Sequence, residues 1–156
     1  MRRPWNITDS SVYSLVTYAS DGFNMNICTY VTAISMKPKM YAIAIDLSSK
    51  TQRILKDTDF AILQVLGKSQ TDLVRPLGQK SGFGYDKETY LRKRDHIANW
   101  NDHSVLKEAA AYISLQKQGS QITGDHELYW FNAFKSKTNH DNVLSFQNLI
   151  VEGLIL

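Results

Sequence analysis

Short apolar runs follow one another along this chain with too little sequence between most of them for helical crossovers. Residues 12–18 are rich in β-branched and aromatic side chains and stop at the turn signal Ser20-Asp21-Gly22. Residues 26–35 carry Ile27, Thr29, Val31, Thr32 and Ile34 in strand-like order. Residues 41–45 and 60–66 are almost wholly apolar, as strands covered on both faces are. Two further strands are expected over 111–116 and 128–134, and the tail 144–156 ends in two more apolar triplets. Parallel strands need connections of roughly a dozen residues or more, so a doubly wound sheet is excluded. The spacing predicts a mainly β, α+β domain: an antiparallel barrel with short helices at its ends.

Helical signals are few. Residues 49–56 open on Ser49 and place Ile54 and Leu55 on one face. Residues 70–77 space Leu73, Val74 and Leu77 helically, with Pro76 keeping the segment short. Residues 104–110 resemble a helix capped by Ser104, and 80–101 read as a polar loop with at most a short helix.

With 156 residues the chain fits one domain, 1–156. Hydrophobic residues make up 43% and charged ones 21%, enough apolar surface for a core and against disorder. A net charge of +3, with the one compact basic run at Arg92-Lys93-Arg94 followed by Asp95, excludes a nucleic-acid stripe. No apolar stretch reaches membrane-span length and no leader pattern opens the chain. The lone Cys28 excludes an internal disulfide framework and fits a reducing, cytoplasmic compartment.

Four histidines, His96, His103, His126 and His140, each neighbour an aspartate. None is paired at metal-ligand spacing, and adjacent Asp–His residues on a strand face opposite ways, so neither a metal site nor a dyad is expected. Cys28 lies in a β-like run and reads as a small buried hydrophobe. Ser49-Lys50-Thr51 differs: it follows a buried-looking strand and opens a helix. Free N–H groups, two hydroxyls and a cation there suit a phosphate.

Several pieces then fall in one order. Residues 14–17, Asp21-Gly22-Phe23-Asn24, residues 29–32 and Ile34-Ser35-Met36-Lys37-Pro38 come first. Ser49-Lys50-Thr51, the strand 60–66, Gln70 with Leu73, Gly78-Gln79-Lys80-Ser81-Gly82, Asp86-Lys87 and Gly124-Asp125-His126 follow. In this order the chain resembles the flavin reductase-like and flavoredoxin family of FMN-binding split β-barrels, over about 12–135. It departs from that pattern at Met25, Lys39 and Ser114.

The resemblance implies an FMN site in which residues 26–32 run along the flavin ring, with Asn26, Ile27, Cys28, Thr29 and Thr32 as contacts. It implies that Ser49, Lys50 and Thr51 hold the phosphate, joined by Lys80, Ser81 and Lys87 from the long loop, and that His126 stands where nicotinamide approaches. The implied activity is hydride transfer from NADH or NADPH to flavin, with a flavoredoxin-like electron carrier as the alternative. A homodimer and a downstream monooxygenase or other redox partner are implied as well. The apolar tail is expected to pack on the barrel or across a dimer interface.

Overall fold

A computed structural model describes residues 1–155. Seven strands form one antiparallel sheet in the order β2-β1-β5-β8-β9-β4-β3. They are β1 (Tyr13–Ala19), β2 (Gly22–Met25), β3 (Val31–Met36), β4 (Lys39–Asp46), β5 (Phe60–Val65), β8 (Ala111–Ile122) and β9 (His126–Thr138). A separate hairpin joins β6 (Ile97–Trp100) to β7 (His103–Leu106). The helices are short: α1 (Lys50–Asp57), α2 (Lys87–Lys93) and α3 (Phe146–Val151).

The all-apolar strands have a simple cause. Each face of the sheet packs on its own core. Leu15, Ile43, Leu63, Leu115, Tyr129 and Phe131 fill one side. Val16, Ile62, Leu66, Leu73, Val105 and Leu149 belong to the other. Neighbours along a strand, such as Leu15 and Val16 or Ile62 and Leu63, therefore enter different cores. Full burial of one such side chain contributes roughly 2 kcal/mol.

The two edge strands β2 and β3 are consecutive in sequence, and residues 26–30 cross between them. The expected continuous strand 26–35 is thus broken. Cys28 pairs with Tyr13 on one side, N–H to carbonyl at 2.8 and 3.0 Å, while the Tyr30 carbonyl accepts from Ala44 N–H on the other at 3.0 Å. This crossing segment bridges the seam where the sheet's ends approach one another. Asn26 secures it by accepting from Leu15 N–H at 2.8 Å through its side-chain oxygen.

Three other sequence expectations are corrected. The helix expected over 104–110 is replaced by β7, because Asn101 and Asp102 both take positive φ (50° and 65°) and close a two-residue hairpin onto β6. Gln64 then holds Leu106 N–H through its side-chain oxygen at 2.6 Å. The 70–77 segment is split into a 3-10 turn over Lys68–Leu73 and a wider π turn over Arg75–Gln79, which admits Pro76. In the polar stretch 80–101, Asp86 caps α2 by accepting from Thr89 N–H at 3.0 Å, and β6 follows. The tail forms α3, with Leu149 buried and Leu154 and Ile155 against the core; Leu156 lies outside the described residues.

Candidate functional site

The end of β4 feeds directly into α1. Ser49 caps the helix: its hydroxyl oxygen accepts from Gln52 N–H at 3.1 Å and donates to the Asp46 carbonyl at 2.8 Å. The amides of Lys50 and Thr51, the first two helical residues, therefore remain open to a ligand. Gln52 donates to Glu127 on β9 at 2.7 Å, and Tyr129 and Ser120 donate to the same carboxylate at 2.7 and 2.8 Å. Burial opposes this charge, but the three donors outweigh it and hold Glu127 below the usual carboxylate range. The network fixes the start of α1 against the β8–β9 hairpin.

A cleft of about 320 Å³ opens in front of that helix start. One wall is the crossing segment 26–30, and another is the loop 77–82. Among the described residues, the backbone groups of Ile27 and Thr29 bond to no other part of the chain. Gly82 lies so close that an added Cβ would stand 2.5 Å from Asn24 Oδ1 and 3.1 Å from Lys50 Cβ. Only glycine allows the loop this approach. Asn24 in turn donates to Thr51 Oγ1 at 3.1 Å, linking β2 to the helix start.

Lys87 is the strongest electrostatic feature. It is 6% exposed, lines the cleft, and its ammonium donates to the Leu77 carbonyl at 2.7 Å. Among the described residues no carboxylate pairs with it. Burial, with a smaller contribution from Lys50, lowers its pKa to about 8. A buried cation without a counter-charge, beside open helix amides, presents the groups that bind an anion.

His126, the first residue of β9, also lines the cleft and pairs across the sheet with Asp46, just before the turn into α1. Its Nδ1 lies 2.6 Å from Asp125 Oδ1, and Tyr30 tilts over its ring with centroids 5.2 Å apart. The neighbours do make a pair, contrary to the alternation argument, because Asp125 lies in the turn before the strand and can fold back. Cys28 is buried, and burial pushes its thiol up to about 12, so it is no nucleophile at neutral pH.

Asn26, Ile27, Cys28, Thr29, Ser49, Lys50, Thr51, Lys80, Ser81, Lys87 and His126 all line this one cleft. Thr32 does not: it sits on exposed β3 opposite Ala42, beyond the break at 26–30. Lys80 points its ammonium at the Tyr85 ring, 4.2 Å from the centroid. Sequence reasoning missed Asn24, Tyr30 and Asp46 as lining residues. Asn24 and Tyr30 lie inside quoted motifs, Asn24 in 21–24 and Tyr30 in 29–32; Asp46 carries no signal, since only the fold brings it to the cleft.

The chain belongs to the flavin reductase like domain family, whose profile matches residues 8–148, which makes it a flavin-related oxidoreductase domain. Solved structures share the fold. An FMN-binding protein of Thermus thermophilus, with bound 1-cyclohex-2-enone, is 18% identical; the match covers 88% of this chain and 75% of that one at a TM-score of 0.77. The styrene monooxygenase flavin reductase of Pseudomonas putida S12 is 16% identical over 91% and 89% at 0.76. The NADH:FAD oxidoreductase of Streptomyces globisporus C-1027 is 14% identical over 84% and 76% at 0.74. Among curated proteins no match was found.

Proposed function

We propose that the cleft binds FMN and that the protein is an NAD(P)H-dependent flavin reductase. The observation that carries this reading is Lys87, a buried ammonium without a carboxylate partner, set beside the open amides of Lys50 and Thr51. A phosphate dianion would supply the missing counter-charge. Lys50 and Lys80 add positive charge, and Ser81 and Thr51 add hydroxyls.

When bound, the flavin supplies two-electron chemistry, accepting a hydride from the reduced nicotinamide of NADH or NADPH. The chain's own work is placement. The unpaired backbone groups of Ile27 and Thr29 would meet the polar edge of the ring, and Cys28 and Ile45 form apolar lining. His126, held by Asp125, would stand where the nicotinamide enters. Its role is to orient that second ring and to lie within reach of a proton.

The exposed Ile34 and Met36 on edge strand β3 support a homodimer in which two copies cover this edge. Reduced flavin then serves a monooxygenase or another redox partner. The buried lone Cys28 supports a reducing, cytoplasmic setting.

Anaerobic mixing of FMN-loaded protein with NADH or NADPH tests the reading. Bleaching of the flavin band is the expected result. Flavin uptake without bleaching would leave an electron carrier, and no uptake at all would defeat both.

A further inference from the structure

Lys87 is a buried cation with no carboxylate partner among the described residues, and such a group gains by escaping to water. Its own helix offers little resistance. α2 has seven residues, too few to persist unaided in water, so what it packs against decides where Lys87 points. Asp86 caps the helix, and Leu91, one turn beyond Lys87, is fully buried. Apolar burial has no preferred direction, so Leu91 does little to fix the rotation of the helix about its axis.

Glu88 fixes that rotation. Successive helical side chains leave the axis about 100° apart, so Lys87 lines the cleft and Glu88 does not. Glu88 Oε2 accepts from Phe23 N–H at 3.0 Å, and its Oε1 accepts from Arg92 Nε at 2.9 Å. Arg92 in turn lies over the Phe23 ring, 5.3 Å from the centroid, and donates to Ser104 Oγ on β7 at 3.3 Å. Gly22 makes the room: its φ is 137°, and an added Cβ would collide with Glu88 Oε2. The next residue of β2 after Phe23 is Asn24, which donates to Thr51 at the start of α1. Two consecutive residues of one strand therefore hold the two helices that face the anion.

We propose that Glu88 is a positioning residue: by clasping Phe23 it keeps the Lys87 ammonium in register with the start of α1, which Asn24 holds through Thr51. The inference rests on the flavin reading of the cleft, in which Lys87 and the α1 amides share one phosphate. Charge and position act on Lys87 with opposite signs. The charged groups around it are Lys50 of α1, Lys80 of the loop 77–82, Asp21 of the β1–β2 turn, and Asp86 and Glu88 of α2. Were Glu88 to act through its charge, its loss would make Lys87 easier to deprotonate. Loss of the clasp instead lets the ammonium reach water, and its pKa rises from about 8 toward that of an ordinary lysine.

NMR titration of the Lys87 side chain in the free protein, paired with calorimetric titration of FMN, tests this. Glu88→Ala should raise the Lys87 midpoint by about one pH unit and weaken FMN about tenfold. Glu88→Asp keeps the charge but falls short of Phe23 N–H, and it should do the same. Glu88→Gln keeps the acceptor without the charge, and FMN affinity should stay within about threefold. Ser145→Ala, which removes the cap of α3 outside the cleft, should lower the melting temperature and move neither quantity. A midpoint that stays or falls in folded Glu88→Asp, or a larger loss in Glu88→Gln than in Glu88→Asp, would overturn the positioning role while the flavin reading stands. A raised midpoint in a protein that binds no FMN even as wild type would bring down the flavin reading and leave the clasp.

Discussion

Two parts of the cleft, the surroundings of Lys87 and those of His126 and Tyr30, are built differently. The first is dense and committed. Lys87 is buried, Thr51 and Asn24 are hydrogen-bonded to one another, Gly82 is pressed against both Asn24 and Lys50, and Glu127 anchors the helix behind them. The second is open; Tyr30 is 62% exposed and its ring is held by one aromatic neighbour. Burying an unpaired cation is unfavourable in the free protein, and it becomes favourable once an anion arrives. The difference teaches that buried charge and close packing are concentrated around Lys87, while the ring of Tyr30 keeps much of its surface in solvent.

Removing the buried cation should give the largest effect. Lys87→Met should weaken FMN about a hundredfold, because a charge-assisted contact to phosphate is lost. The same change should raise the stability of the free protein, by about 1 kcal/mol, since no buried charge remains. Flavin titration and thermal melts of the free protein read the two. Parallel losses in both would mean that Lys87 is only a structural residue, and the contrast between the two parts would collapse.

The pH dependence sharpens the same point. Lys87 has a pKa of about 8 in the folded protein against an ordinary 10.5. Between those values the unfolded chain holds the extra proton, so this group makes the free protein more stable as pH rises through that window. Flavin binding runs the other way. On the proposed reading it needs the ammonium and the phosphate dianion, so FMN affinity should be level between about pH 7 and pH 8 and fall by up to a decade per pH unit above that. An affinity that stays level to pH 10 in the wild type would break the assignment; Lys87→Met should show no such fall.

Around His126 the effect should appear in rate. His126→Ala should slow anaerobic flavin bleaching by NADH or NADPH about thirtyfold while FMN affinity changes less than threefold. A loss of affinity as large as that for Lys87→Met would erase the distinction between the two parts. Gly82→Ala is expected to be intermediate, about tenfold in FMN affinity, because its Cβ would displace the loop from Asn24. Thr32→Ala should change neither quantity beyond about twofold, since Thr32 lies outside the cleft.

Much of this was legible in the residues, and the failures share a cause. The apolar density of 41–45 and 60–66 announced strands covered on both faces, and two separate cores account for it. Ser49 announced a helix start, and its hydroxyl makes the cap. Over 104–110 the local capping pattern points to a helix, but the Asn101-Asp102 turn ties His103 back to Trp100 and makes the segment a strand. Thr32 enters the site only through the resemblance, which runs 26–32 as one strand along the flavin ring. The seam interrupts it at 26–30, and seam position depends on partners far away in sequence, Tyr13 and Ala44.

The sequence by itself determined a mainly β domain with short helices and a capped helix start carrying Ser49, Lys50 and Thr51. These follow from periodicity and local hydrogen bonding, which act within a few residues. Only the tertiary structure decided that Lys87 would be buried without a counter-charge among the described residues and that Asp125 would reach His126. Burial and charge balance are sums over neighbours from distant parts of the chain, and no local pattern encodes them.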